Sequence, residues 1–405
     1  MAEPSRAKYA LILGGMSAFG PLSMGMYLPA LPAISGDLHA GASQVQLSLL
    51  ACTTGLALGQ LVMGPLSDTY GRRRPLLVGV VLYALASLAC ALAPSAYALA
   101  ALRLVQGLGG AAGIVIARAV VRDLFSGVAL AKFFSLLMLV NGVVPVLAPV
   151  VGGQLLHVTS WRGVFVTLCA IGAALLVAAV FALPETLPRE RRQPGSLPQT
   201  LRTFGGLLRD RTFLGFALSA ALAFAAMFAY ISGSSFVLQD VHHLSPQQFS
   251  LVFGVNSIGI VTMGQVNGLL VGKVDSRRLL AIGLGGNALG GVAVFASTAL
   301  GLGLPALLPA LFLTVASIGL VFPNATALAL SSHRETAGSA SALLGVLQFL
   351  IGGLVSPLVG IAGSDTAVPM GVVVGALSLS AVLVFATFAR RPVERELTRP
   401  ERRSG

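Results

Sequence analysis

One basic side chain of this sequence falls inside an apolar run, where a charge is costly. Arg103 lies about six residues into the run that begins at Tyr97, on the order of 9 Å along a helix. A guanidinium at that depth must face protein or water. We therefore predict that Arg103 contacts a substrate or senses its binding. The structural alternative is that Arg103 hydrogen-bonds Gln106 and fixes helix packing.

No acidic partner is evident for this cation. All fourteen Asp and Glu residues and all five histidines map to predicted loops, tails or helix ends. Asp37 would reach Arg103 only if the predicted boundary beside it is wrong by a helical turn or more. A cavity with one cation and no acid should favour neutral or anionic compounds, because an unpaired positive field repels cations.

Other polar and aromatic side chains within the apolar runs are candidates to line a substrate path. Those predicted for substrate binding or coupling, besides Arg103, are Gln106, Tyr27, Met26, Tyr230, Phe228, Asn324 and Asn141. Each has packing as its alternative role, because one sequence does not fix which face of a helix a residue occupies. Asn256 and Gln348 either line the same path or join helices by hydrogen bonds.

The elements that must position these residues are membrane helices. Of the 405 residues, 56% are hydrophobic and 10% are charged, and the mean hydropathy is +0.88. A soluble domain of this size would be less apolar. Uninterrupted apolar runs of roughly 20 residues match bilayer-spanning helices, whereas barrel strands would alternate apolar and polar residues. The prediction is an all-α integral membrane protein with twelve transmembrane helices.

The apolar runs fall into two groups of six. The predicted spans are about 9–31, 44–66, 75–93, 97–119, 130–153, 163–183, 212–237, 248–271, 279–300, 305–328, 338–361 and 368–389. A charged, proline-rich stretch separates the groups. We predict an N-terminal half at 1–183, a cytoplasmic linker at 184–211, a C-terminal half at 212–389 and a basic cytoplasmic tail at 390–405.

The formal net charge of +12 is distributed as in a membrane protein. Of the 26 Lys and Arg residues, all but Arg103 and Arg162 fall on one side of the predicted membrane. Basic residues concentrate on the cytoplasmic side, so both termini are predicted to be cytoplasmic. This distribution gives no reason to expect a nucleic-acid partner.

Catalytic and metal-binding patterns are missing from the sequence. The three cysteines lie in apolar runs, without a C-x-x-C pair, so neither a disulfide framework nor a metal site is predicted. There is no H-E-x-x-H, no G-x-S-x-G and no Walker sequence. We expect no cofactor and no catalytic residue, which argues against a membrane-embedded enzyme.

The turn between the second and third runs reads GPLSDTYGRRRP. Its acid closes one helix, its second glycine permits a backbone reversal, and its arginines hold the turn at the cytoplasmic face. The residues that carry this pattern are Gly64, Asp68, Gly71, Arg72 and Arg73. Their spacing resembles the G-x-x-x-D-[RK]-x-G-[RK]-[RK] signature of the major facilitator superfamily, although Thr69 stands where that family usually has a base.

Further patches strengthen the resemblance. Arg103 and Gln106 fit the family's R-x-x-Q-G in the fourth helix, and LPETL, which ends the sixth helix, is typical of it. The stretch APVVGG resembles the G-P-x-x-G-G pattern of drug and proton antiporters, through Pro149, Gly152 and Gly153. The stretch MYLPALPAIS resembles the first-helix signature of the Bcr/CflA branch of multidrug exporters.

The resemblance implies a monomeric exporter of small hydrophobic antimicrobials in the bacterial cytoplasmic membrane, working by alternating access with protons as the coupling ion. The turn of Asp68 and Arg72 to Arg74 would stabilise one conformational state through helix-end contacts and contacts between the halves. The fifth helix, kinked at Pro145 and Pro149, would flex or seal. Bcr/CflA-like exporters usually carry an acid just before MYLPALP, where this chain has Gly25.

The missing acid keeps another function open. The alternative is an uncoupled facilitator, or an organic-anion or neutral-metabolite transporter, of the same fold. A transport-dead receptor is a further rival, but no soluble signalling domain supports it.

The two halves also show a weak internal repeat. GLLVGKVDSRR, from Gly268 to Arg278, can be laid over the stretch from Gly64 to Arg74, with Gly272 at the place of Asp68. Two six-helix halves related by a parallel repeat predict a substrate site near the membrane midplane, between the halves.

Overall fold

The computed structural model describes residues 6–125, 127–192, 197–331, 333, 337–361 and 366–388. Within these ranges the chain is helical apart from turns and one isolated bridge between Val271 and Val274. Ten helices are long and apolar enough to cross a membrane, and the pair Lys8–Ser17 and Phe19–Asp37, bent by 48°, is an eleventh span. The helix Gly127–Val158, with an apolar part at Val143–Val158, occupies the place of the fifth span. The predicted all-α membrane architecture is confirmed.

We number the spans TM1 to TM12. TM1 comprises Arg6–Ser17, Phe19–Gly25, the 3₁₀ turn Leu28–Ala30 and Leu31–Asp37, and TM2 to TM6 are Ala42–Tyr70, Arg73–Ala91, Ala96–Leu124, Gly127–Val158 and Trp161–Ala182. A 3₁₀ turn, Arg189–Arg191, and a short helix, Leu197–Leu207, follow. TM7 comprises Arg211–Phe236 and the π turn Val237–Val241, and TM8 to TM12 are Pro246–Leu270, Ser276–Ala299, Leu304–Ala316 with Ile318–Ser331, Ala337–Val359 and Val368–Phe388.

Local sequence explains where several helices begin. Asp210 accepts the backbone N–H groups of Thr212 and Phe213 at the start of TM7. Ser245 and Gln248 form a reciprocal capping box at the start of TM8. Side-chain acceptors of this kind satisfy N–H groups that have no partner in the first helical turn.

Glycine allows close packing of TM2 on TM4 in the N-terminal half. A Cβ atom added to Gly55 of TM2 would lie 2.2 Å from the Leu104 carbonyl oxygen of TM4. One added to Gly107 of TM4 would lie 2.3 Å from the Cys52 carbonyl oxygen of TM2. The two backbones are therefore in direct contact, as small residues permit in membrane bundles.

TM1 departs most from its predicted span. It bends after Ser17 and runs on to Asp37, six residues past the predicted end at Leu31. The added part begins at Pro32, directly after the tight turn Leu28–Ala30, and proline has no N–H to continue a regular helix. In contrast, TM5 is one continuous helix through Pro145 and Pro149.

Candidate functional site

Arg103 is fully buried in the N-terminal half. Its Nη1 atom donates to Gln106 Oε1 at 2.5 Å, and its Nη2 atom lies 3.8 Å from the sulfur of Met24. The guanidinium carbon is 4.3 Å from the ring centroid of Tyr27 and 5.7 Å from that of Phe165. Contacts with aromatic faces stabilise a cation without neutralising it.

Hydrogen bonds extend from this cation to TM2 and TM3. Gln106 Nε2 donates to Ser87 Oγ at 2.7 Å, and the Tyr27 hydroxyl lies 3.0 Å from Ser48 Oγ. The Arg103 Nε atom is buried and has no hydrogen-bond partner. The predicted contact between Arg103 and Gln106 exists, so the arginine has a structural role whether or not it also contacts a substrate.

No carboxylate hydrogen-bonds Arg103 within the described chain. Asp37 instead accepts hydrogen bonds from Arg162 and, at 3.0 Å, from Trp161 Nε1 at the start of TM6. The Arg162 guanidinium lies over the Trp161 ring at 4.2 Å. The alternative that Asp37 contacts Arg103 is therefore wrong, because Asp37 forms its ion pair with Arg162.

The position of the missing acid has no room for a side chain. A Cβ atom on Gly25 would lie 2.7 Å from Ala148 Cβ and 3.2 Å from Pro149 Cδ. One helical turn further along TM5, a Cβ atom on Gly152 would lie 1.9 Å from the Met26 carbonyl oxygen. TM1 and TM5 are thus packed backbone to backbone at this level, and Met26 is enclosed between them at 1% exposure.

Three of the predicted polar residues of the C-terminal half, Tyr230, Asn256 and Asn324, are buried and hydrogen-bonded to other side chains. Asn256 Nδ2 donates to the Tyr230 hydroxyl at 2.8 Å. Asn324 Nδ2 donates to Asn267 Oδ1 at 2.5 Å. These bonds join TM7 to TM8 and TM8 to TM10, which agrees with the helix-joining alternative for Asn256 and gives Tyr230 and Asn324 structural contacts. The side chain of Asn141 lies outside the described residues.

An aromatic cluster surrounds Phe224 of TM7. Its ring centroid is 5.8 Å from that of Phe228, 5.7 Å from that of Phe322 in TM10 and 5.6 Å from that of Phe349 in TM11. Of these four, the sequence analysis selected only Phe228. The spacing of Phe224 and Phe228, four residues apart on one helix face, was the available signal.

The aromatic cluster lies beside the N-terminal half. A Cβ atom on Gly352 of TM11 would be 3.0 Å from the Phe224 ring, and one on Gly353 would be 2.5 Å from Thr53 Oγ1 of TM2. Thr53 follows Cys52, whose backbone packs on TM4. The cluster therefore packs on TM11 beside the residue at which TM11 contacts TM2 of the N-terminal half.

The basic turn is a closed network inside the N-terminal half. Arg72 donates from Nη1 to Asp68 at 2.5 Å and from Nε to Asp123 of TM4 at 2.9 Å. Its backbone N–H donates to Glu185 at 2.8 Å, and the N–H of Arg73 donates to the same carboxylate at 3.3 Å. The contacts of Asp123 and Glu185 with this turn were not predictable from the sequence, since only the fold brings three helix ends together.

Glu185 and two glycines complete the turn. Burial raises the pKa of Glu185, but the N–H groups of Leu187, Arg72 and Arg73 outweigh burial, so this pKa lies below its usual value. Gly71 has φ of +89°, and a Cβ atom there would lie 2.3 Å from a Glu185 oxygen. Gly64 lies within TM2 against Val115 of TM4, apart from the ionic network.

The repeat in the C-terminal half has a different register from the predicted one. Gly272 follows TM8 with φ of +87°, which matches Gly71 after TM2. Gly272 is thus the counterpart of Gly71 rather than of Asp68, and the loop that leads to TM9 is longer.

We call the end of the bundle opposite the described chain ends, Arg6 and Phe388, the distal face. Among the described residues, several hydrogen bonds between the two halves lie there and run from a side chain to a backbone carbonyl. They are Ser43 to Pro357, Gln46 to Ser232, Ser235 to Leu28, Gln239 to Pro29, Gln247 to Gly153, Ser250 to Pro149 and Ser356 to Gln46. The halves are therefore closed together at the distal face through TM1 and TM7, TM2 and TM11, and TM5 and TM8.

Pro149 and Gly153 contribute to this closure from TM5, because their carbonyl oxygens accept hydrogen bonds from TM8. Gly153 approaches TM8 so closely that a Cβ atom would lie 2.4 Å from Ser250 Oγ. Gly152 packs on TM1 on another side of the same helix. The flexing or sealing role of the fifth helix stays a prediction.

Comparison with known proteins identifies relatives along almost the whole chain. Residues 13–357 match the family model described as Major Facilitator Superfamily. The uncharacterized MFS-type transporter YdgK of Bacillus subtilis is 43% identical, over 94% of this chain and 95% of that protein. A bicyclomycin resistance protein homolog of Haemophilus influenzae is 32% identical over 93% and 95% of the two chains. The multidrug resistance protein MdtL of Salmonella heidelberg is 28% identical over 92% and 93%.

Solved structures share the fold. The nucleoside transporter NupG aligns with a TM-score of 0.78 at 11% identity, over 95% of this chain and 99% of that chain. The inward-open xylose transporter XylE of E. coli aligns with a TM-score of 0.72 at 15% identity, over 96% and 98%. At such identities the likeness concerns the fold alone.

Proposed function

Because this chain belongs to the major facilitator superfamily of membrane transporters, we propose that it exports small hydrophobic antimicrobials by alternating access, with protons as the counter-ion. The observation that carries export is the likeness, over 92% or more of the chain, to a bicyclomycin resistance homolog and to MdtL. The protein acts as a monomer in the bacterial cytoplasmic (inner) membrane, with both termini in the cytoplasm. The distal face is then the outer face.

The proposed substrate path runs between the halves, from the Arg103 cluster to the aromatic cluster around Phe224. Four phenylalanine rings offer an apolar wall that is typical of drug-binding sites. A buried guanidinium without a carboxylate partner favours neutral or anionic compounds. Met26, Tyr27 and Gln106 belong to the Arg103 side of this path.

The basic turn and the distal contacts support alternating access. The Asp68, Arg72 and Arg73 network is complete within one half, so it keeps the ends of TM2, TM4 and TM6 together as a rigid unit. The hydrogen bonds named above between the halves at the distal face join uncharged groups. Such bonds can break and form again without separating charges, as a reversible opening of that face requires.

The alternative function is an uncoupled facilitator or an organic-anion or neutral-metabolite transporter. One observation favours it: the place of the expected acid is taken by Gly25 and filled by TM5. Proton coupling then needs a carrier other than an acid at that place.

Transport in proteoliposomes tests the proposal. Neutral, anionic and cationic dyes are compared with and without an imposed pH gradient, for the native protein, for Arg103→Met and for the control Arg162→Met, which removes an exposed charge. We expect gradient-driven transport of the neutral or anionic dye that is lost in Arg103→Met and kept in Arg162→Met. Transport at the same rate with and without the pH gradient would favour the facilitator. Preference for the cationic dye would refute the proposal that Arg103 selects neutral or anionic compounds.

A further inference from the structure

Two irregular helical turns face each other at the distal face. TM1 tightens into the 3₁₀ turn Leu28–Ala30, and TM7 widens into the π turn Val237–Val241. The 3₁₀ turn belongs to the N-terminal half. The π turn directly follows Phe236, the last residue of the α-helical part of TM7. π turns within α-helices occur often at functional sites, which directs attention to the contacts between these two segments.

Pro32 changes the bonding of one carbonyl group in TM1. In a regular helix the Leu28 oxygen would accept the N–H of residue 32, and proline has none. The chain tightens instead, so that the Leu31 N–H donates to the Leu28 oxygen. A carbonyl oxygen can accept two hydrogen bonds, and Ser235 of TM7 donates the second at 2.7 Å.

The adjacent contacts follow the same pattern. Gln239, four residues after Ser235, donates to the Pro29 oxygen at 3.2 Å. The carbonyl oxygen of Ser232, three residues before Ser235, accepts from Gln46 of TM2 at 3.0 Å. These spacings place all three residues on one face of TM7, which is turned toward the N-terminal half.

The bond between Ser235 and Leu28 is shielded from solvent. Ser235 is 0% exposed and Leu28 is 1% exposed. Because water does not compete at this site, the bond contributes to closure as long as the halves are together, and it is lost when they part.

We propose that Pro32 and Ser235 are positioning residues that together favour closure of the distal face. Pro32 removes the intrahelical donor and leaves the Leu28 oxygen turned toward TM7, and Ser235 uses that oxygen as its acceptor. This assigns a physical role to the MYLPALP stretch that depends on neither the transported compound nor the coupling ion.

The test measures the opening of the distal face directly. The full chain is placed in lipid nanodiscs, its native cysteines are replaced by alanine, and spin labels are attached at Leu92→Cys and Leu302→Cys. Both sites are exposed, at 75% and 53%, on distal ends of different halves. Pulsed electron spin resonance then gives the ratio of open to closed molecules from the distance distribution.

Ser235→Ala is expected to raise the ratio of open to closed molecules by roughly two- to tenfold, the effect of one net hydrogen bond. The matched control is Ser234→Ala, because the neighbouring Ser234 hydroxyl is equally buried but has no partner. We expect that control to leave the ratio unchanged. Equal ratios for the two variants would overturn the proposal.

Pro32→Ala restores an N–H that competes for the Leu28 oxygen, so it is expected to shift the ratio in the same direction. Combined with Ser235→Ala it should add almost nothing, since both changes affect one bond. Fully additive shifts would overturn the proposal.

A second pair of variants tests the same hydrogen bond without changing Pro32, in case Pro32→Ala does not fold. Ser235→Thr and Ser235→Val introduce side chains of the same shape, and only the threonine keeps the hydroxyl. We expect the open fraction to be lower for the threonine variant, and equal fractions would contradict the proposed bond. Because no substrate or pH gradient enters these measurements, their outcome is independent of whether the protein exports drugs.

Discussion

Gly152→Ala tests the packing of TM1 on TM5, which fills the place of the missing acid. The added methyl group would start 1.9 Å from the Met26 carbonyl oxygen, whereas carbon and oxygen atoms normally approach to about 3.3 Å. The two backbones must therefore part by roughly 1.4 Å. Overpacking of this kind costs about 1–3 kcal/mol, and we expect the upper part of that range because the obstructing atom is backbone. Alanine favours a helix by about 1 kcal/mol relative to glycine. The expected net loss in the free energy of unfolding is therefore about 1–2 kcal/mol.

Two further variants calibrate this prediction. Gly25→Ala meets the Ala148 side chain at 2.7 Å, so we expect a smaller loss that the helix propensity nearly cancels. Gly345→Ala, inside TM11, meets nothing within 4 Å and should be neutral or stabilising. The assay is reversible unfolding of the purified protein in detergent. Equal stability of Gly152→Ala and Gly345→Ala would refute the close packing of TM1 on TM5.

Three other substitutions test the basic turn and the aromatic cluster. Glu185→Gln should lower the free energy of unfolding at pH 7. The folded pKa of Glu185 is depressed, so the native protein is more stable than Glu185→Gln above the unfolded pKa of about 4.3. This difference in the free energy of unfolding disappears as the pH falls through the lower folded pKa. A difference that grows in acid would contradict this. Arg72→Lys should cost about 1.5–3 kcal/mol, because one ammonium cannot replace the guanidinium bonds to two carboxylates, whereas the exposed Arg74→Lys should change nothing measurable. Phe224→Ala should destabilise by about 3 kcal/mol or more and slow dye transport, while Phe181→Ala, at a side chain that is 85% exposed, should do neither.

Sequence spacing predicted the contacts that lie along one element. Arg103 and Gln106 are three residues apart on one helix, so their side chains meet wherever that helix packs. The turn at Gly71 was recognisable because its glycine takes a positive φ that other residues avoid. Hydropathy located most spans because apolar length alone determines whether a helix can cross a bilayer.

Contacts between elements were not predictable in the same way. Hydropathy gives the length of a span but not its rotation, so the phenylalanines around Phe224 could not be assigned to one cluster. Asp123 and Glu185 meet Arg72 only because three helix ends converge. The predicted end of TM1 was wrong because the helix continues to Asp37 beyond the 3₁₀ turn Leu28–Ala30.

The measurement that tests the central claim most directly is the accumulation of a labelled neutral antimicrobial in bacterial cells that lack their own exporters. Cells that produce the native protein are compared with cells that produce Asp68→Asn at the same level, before and after the proton gradient is collapsed. Export predicts lower accumulation with the native protein, and a rise to the level of the variant when the gradient is removed. Accumulation that is equal in both strains, or that the native protein increases, would contradict it.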